Sequence, residues 1–98
     1  MFGDMMEKLS QMKQSVKESK ARLDTVSVKG ESAGFAVTVN GNRKVIDIKF
    51  PASFDGDNDE IQDMLVIAFN RALEAADKVN EAEMAAAAKG ILPNIPGL

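Results

Sequence analysis

Near the start of the chain the large apolar positions fall at Met5, Leu9, Met12, Val16 and Leu23. Ser19 occupies the one place where the alternating four-and-three spacing would have continued. That alternation is the seam of a helix that lies against another helix. No glycine or proline interrupts Asp4 to Leu23, and Lys, Gln, Glu and Met favour the helix. The pattern predicts a helix over these residues, ~30 Å long at 1.5 Å per residue.

The period then shortens to two. Val26 and Val28 alternate with Thr25, Ser27 and Lys29, and Phe35, Val37 and Val39 alternate with Ala36, Thr38 and Asn40. Both runs predict half-buried strands. Gly30 and Gly34 bracket the turn between them, and Asn40-Gly41 predicts a tight hairpin with positive φ angles. Arg43 to Phe50 resumes the alternation, with Ile46, Ile48 and Phe50 set against Asp47 and Lys49. Three such strands make an antiparallel meander with one apolar and one largely polar face.

Pro51 stops the third strand, and Asp55-Gly56-Asp57-Asn58-Asp59 holds turn and cap residues only. Asp57 with Glu60 three residues on reads as a capping box, Asn58 being the alternative cap. Behind it Ile61, Met64, Leu65, Ala68, Phe69, Ala72, Leu73, Ala76 and Val79 form an apolar stripe, and the helix is expected to end at Gly90. The order is thus α-β-β-β-α, an α+β fold in a single domain over residues 1–90. Residues 91–98, apolar but with Pro93 and Pro96, read as an extended tail.

The lengths do not match within one chain. A sheet of three strands is about 14 Å wide, whereas a helix of thirty residues runs ~45 Å. Both apolar stripes overrun the sheet, which favours a symmetric homodimer with Met5, Leu9, Met12, Val16 and Leu23 as its seam. The competing arrangement is a monomer whose two helices pack on each other.

Composition narrows the chemistry. The chain has 98 residues, 12 Lys plus Arg, 15 Asp plus Glu and no Cys or His. It can build no disulfide, thiolate or imidazole metal site, thiol nucleophile or Ser-His triad. Its 45% apolar content is that of a folded globular chain. Met1 to Leu9 carries Asp4 and Glu7 and is no signal peptide, and no run approaches the ~20 apolar residues of a membrane span. A soluble cytoplasmic protein without cofactors is expected.

Three local motifs have plainer readings than chemistry. The Asp55–Glu60 run has its glycine second, where a calcium loop needs it sixth. Gly30-Glu31-Ser32-Ala33-Gly34 joins strand to strand, whereas phosphate loops lead into a helix. The pairs Glu60 with Asp63 and Asp77 with Glu81 lie on the polar face of a helix, where nothing desolvates them for acid/base work. No catalysis and no small-molecule substrate are expected.

The formal charge of −3 hides a separation. Residues 1–50 carry 9 basic and 6 acidic side chains, and residues 51–98 carry 3 and 9. Lys13, Lys17 and Lys20 form one stripe beside the seam, at i, i+4 and i+7, with Lys8 and Arg22 on its other flank. Such a row can hold the phosphates of a duplex without reading bases. It can equally solubilise the flanks of a helix seam or pair with the acidic second helix.

Taken together, several segments resemble a known family. They are Met1-Phe2-Gly3 and the Met- and Lys-rich first helix, Val28 to Gly34 leading into Val37-Thr38-Val39-Asn40-Gly41, Val45-Ile46-Asp47-Ile48, Ala68-Phe69-Asn70-Arg71-Ala72, and the tail Gly90-Ile91-Leu92-Pro93. The chain resembles the YbaB/EbfC family of bacterial nucleoid-associated proteins over nearly its whole length. Phe50-Pro51-Ala52-Ser53-Phe54 departs from the hydrophilic Asp-Pro-Ser-Leu-Leu pattern usual there. The resemblance implies a tight homodimer with helices projecting like tweezer arms, double-stranded DNA as partner, a place in the bacterial cytoplasm and nucleoid, and no enzymatic activity. On charge, the phosphate contacts are expected at Lys13, Lys17 and Lys20, then Lys8 and Arg22, with Arg71 and Lys78 weaker. The alternative is a non-catalytic interaction module whose stripes and tail hold another protein.

Overall fold

The computed structural model describes residues 2–91. The chain runs α1 (Phe2–Asp24), β1 (Ser27–Ser32), β2 (Phe35–Asn40), β3 (Val45–Lys49) and α2 (Asn58–Ile91). The strands form one antiparallel sheet in the order β1-β2-β3, so the α+β meander between two long helices stands as predicted. α2 continues through Gly90 to Ile91, past the expected stop, and residues 92–98 of the tail lie outside the described residues.

α2 lies across β1 and β2. Ala68, Ala72 and Ala76, one helical turn apart, are fully buried against Val37 and Val39 of the central strand. Only small side chains on the helix allow so close an approach, and β1 answers with Gly30, paired to Val37. A Cβ at Gly30 would fall well inside contact distance of the Ala68 carbonyl oxygen and the Ala72 amide nitrogen, so helix backbone rests on strand backbone there. Asp57 caps α2: its Oδ1 accepts from the Glu60 amide at 2.9 Å and its carbonyl from the Ile61 amide at 3.0 Å. The cap is Asp57, not Asn58, and this carboxylate is engaged as a cap acceptor.

The two hairpins differ from each other. Ser32 pairs with Phe35, so Ala33 and Gly34 make a two-residue turn, with φ of 51° and 87°. Asn40-Gly41 makes no such turn, contrary to expectation. Asn40 ends β2, and its Oδ1 accepts from the amides of Asn42 (2.9 Å) and Lys44 (3.0 Å), while the left-handed position falls to Arg43 at φ 68°. Gly41 instead lets the chain press on the end of α1: its amide donates to the Leu23 carbonyl at 3.0 Å, and a Cβ would stand 2.7 Å from Leu23 Cδ2. Tertiary contact, not turn chemistry, explains the glycine.

β3 carries a bulge. Thr38 pairs with Asp47 but Val39 with Val45, which leaves Ile46 as the extra residue of the strand. No residue of β3 is covered. Val45, Ile46, Ile48 and Phe50 are 42–60% exposed, because α2 packs mainly on the other two strands. Phe35 is buried with the rings of Phe50 and Phe54 set edge-on at 5.1 and 5.0 Å. The aromatic pair that breaks the usual hydrophilic pattern thus closes the end of the sheet.

Candidate nucleic-acid interface

Among the described residues, the bonds from α1 to the rest of the chain lie near its C-terminal end. Ser19 and Leu23 are buried there, at 0% and 1% exposure. Arg22 reaches Glu83 of α2 at 2.6 Å, and Asn42 donates to the Lys20 carbonyl (2.9 Å) and to Asp24 (2.7 Å). Met5, Leu9, Met12 and Val16 are 41–64% exposed. Of the residues expected in the seam, Leu23 is buried within the chain itself, with Gly41 against it, while the other four remain exposed. The small Ser19 fits where α2 crosses close by.

With about 100° of rotation per residue, Lys13, Lys17 and Lys20 share one line on α1, more than 90° round from Ser19. All three stand exposed. Among the described residues the ion pairs are Arg22 with Glu83 and Arg43 with Asp77, so none of the three lysines is paired. The row is therefore presented to solvent with its charge uncompensated by α2. Lys8 is exposed on the N-terminal half of the same helix.

The remaining candidates are not brought to this row. Arg22 is turned toward α2; Glu83 holds it, and Ser19 Oγ lies 3.3 Å from its Nη2. That guanidinium in turn holds the Glu83 carboxyl below its ordinary value of 4.5, with a further bond from Ser19 in the same sense and partial burial opposing. Arg71 donates to the Glu31 carbonyl at 2.6 Å and ties α2 to the β1 edge. Lys78 is exposed but lies about 140° round α2 from Glu83, on the side away from α1.

One cation was missed. Lys44 sits in the β2–β3 loop, which Asn42 bonds to α1 at Lys20, so this exposed side chain extends the basic row beyond the end of the helix. The signal in the sequence was the adjacent pair Arg43-Lys44, but only the loop contact places it. The polar face of the sheet is a poor alternative. Its cross-strand rows are Lys29, Thr38, Asp47 and Glu31, Ala36, Lys49, one charge of each sign per row.

Among the described residues no group of three or more acidic side chains is gathered as for a metal, and no helix is long and apolar enough to cross a membrane. The model of the YbaB/EbfC DNA-binding family matches residues 1–91. A nucleoid-associated protein of Flavobacterium johnsoniae is 40% identical over 96 residues, covering 96% of this chain and 91% of that one. A nucleoid-associated protein of Chlorobaculum tepidum is 32% identical, covering 93% and 84%. The crystal structure of an uncharacterized protein from Helicobacter pylori shares the fold, with a TM-score of 0.77 at 21% identity over 87% of this chain and 92% of that one.

Proposed function

Because the chain belongs to the YbaB/EbfC DNA-binding family, we propose that it is a nucleoid-associated protein that holds double-stranded DNA by its phosphates. It acts as a homodimer in the bacterial cytoplasm and nucleoid, where it organises DNA and influences transcription without catalysis. The observation that carries this reading is the unpaired row Lys13, Lys17 and Lys20 on the solvent face of α1. Ammonium groups spaced along one helix edge can follow a phosphate backbone, and need no base contact to do so. Lys8 and Lys44 extend the row at either end; Arg22, Arg71 and Lys78 are secondary.

In this reading the two chains meet at the uncovered strand rather than along the α1 stripe. Arg71 on one flank of α2 reaches β1, and Asp77 on the other reaches Arg43 beside β3. Val66 stands three turns before Asp77 on that second flank and is 57% exposed. Val45, Ile46, Ile48, Phe50 and Val66 thus border one apolar surface, two-dimensional where the α1 stripe is a single file. Exposed patches of this kind mark association sites.

The test is a duplex titration over a range of salt, with the mass in solution measured in parallel. Affinity should fall linearly with log salt, by about 0.9 per phosphate contact. A chain that shows no affinity for duplex at low salt would instead be an interaction module.

A further inference from the structure

We propose that the bare apolar stripe of α1 is a docking site for an acidic amphipathic helix of another protein. The inference goes beyond the DNA reading and stands whether or not duplex is bound.

Met5, Leu9, Met12 and Val16 are spaced by four, three and four, and each is 41–64% exposed among the described residues. That spacing turns all four to one side of the helix over a length of ~17 Å. A second helix matches such a single file, because its own side chains drop into the gaps between the four. The shape of the surface selects a helix.

The flanks select its charge. With the stripe on the two inner positions of a heptad, the places directly beside it belong to Met6, Lys8, Lys13, Ser15, Lys20 and Arg22. Four of these are cations and none is an acid, while Asp4, Glu7 and Glu18 fall farther round the helix. Lys8, Lys13 and Lys20 are exposed and have no ion pair among the described residues. A second copy of α1 is thereby disfavoured, since its flanks would bring cations against cations. A helix with carboxylates beside its own apolar line brings opposite charges together.

The chain already uses this pairing once on itself. Further along the same seam Ser19 is buried, and there α1 packs against α2. Glu83 of that helix meets the flank cation Arg22 at 2.6 Å, and Arg22 in turn reaches Ser19. The bare stripe continues this basic-flanked seam toward the N-terminus, so the same kind of helix suits it. Lys13 and Lys20 also belong to the row proposed for duplex, and on that reading the docked helix and the duplex exclude one another.

The probe is a synthetic peptide of about three heptads, with leucines at the same four-and-three spacing and glutamates on both flanks, which also keep it from pairing with itself. It is titrated into the full-length protein with isotope-labelled methionine methyls. The Met5 and Met12 resonances should shift while that of Met64, on α2, stays in place. A peptide with lysine in place of glutamate should bind on the order of tenfold more weakly. Reversing the protein's flank with Lys8→Glu and Lys13→Glu should invert that preference, a gain that no damaged fold produces. Met5→Ser with Leu9→Ser should abolish docking of the acidic peptide. Binding that survives loss of the stripe is charge attraction alone and would overturn the proposal. So would a preference for the lysine peptide, no peptide binding at all, or a self-association that Leu9→Ser abolishes, which gives the stripe to a second copy.

Discussion

Two nitrogens of Arg22 converge on one oxygen of Glu83: Nη2 stands 2.6 Å from Oε1, and Nε donates to the same atom at 2.7 Å. This pair fastens the last turn of α1 to a point on α2 sixty-one residues away. Beyond it toward the N-terminus α1 projects, so the pair sits at the root of the basic arm.

The Glu83 carboxyl, held below its ordinary 4.5 by Arg22 first and Ser19 next, makes stability depend on pH. Because the folded value is the lower one, the contribution is complete above pH 4.5 and is lost as pH falls through the depressed value. Thermal unfolding of the protein and of Glu83→Gln should therefore differ by a constant amount from about pH 5 to 7 and converge in stronger acid. A gap unchanged into strong acid would contradict the pairing. The variant also releases Arg22, and its affinity for duplex at low salt should rise.

Replacing Lys13, Lys17 and Lys20 by Ala should lower the slope of log affinity against log salt by about 2.7 for each protomer engaged, three contacts at about 0.9 each. Arg71→Ala should leave the slope unchanged and show itself as lost stability, since its guanidinium is bonded to Glu31. Both are read from fluorescence anisotropy on labelled duplex together with thermal melts.

Gly30→Ala tests the closest contact in the fold. The added methyl meets helix backbone, which cannot swing aside as a side chain would. Overpacking against so rigid a neighbour should cost about 3 kcal/mol or more, visible as a shift of the urea midpoint. A cost under about 1 kcal/mol would mean that α2 does not ride on β1.

Ile48→Asp puts a charge in the uncovered patch, at a residue 42% exposed in the single chain. Within one chain this is a surface change of little consequence, within about 0.5 kcal/mol. Across a dimer contact the same charge is desolvated, and sedimentation should show the mass in solution fall to 10.5 kDa. An unchanged mass would move the contact elsewhere.

The elements were legible because period is a local property. Valines at every second position and apolar residues at every third and fourth distinguish strand from helix before any contact forms. Asp57 as cap was legible for the same reason. Asn40-Gly41 misled because its commonest use is a two-residue turn, while here Gly41 serves the approach of Leu23, a residue far back in the chain. Leu23 keeps the seam's spacing, yet it is buried within the chain with Gly41 against it, which its spacing could not reveal.

By itself, then, the order of residues determined the α-β-β-β-α succession, the absence of thiol and imidazole chemistry and the basic row on α1, since each depends on neighbours a few positions apart. Only the tertiary structure decided which apolar surfaces are used up. α2 crosses β1 and β2 on alanines and a glycine, Ser19 and Leu23 are buried, and β3 and the upper half of α1 stay bare. It also decided which cations are spent, for Arg22 and Arg71 find partners 61 and 40 residues away, and no local pattern encodes a contact across such a span.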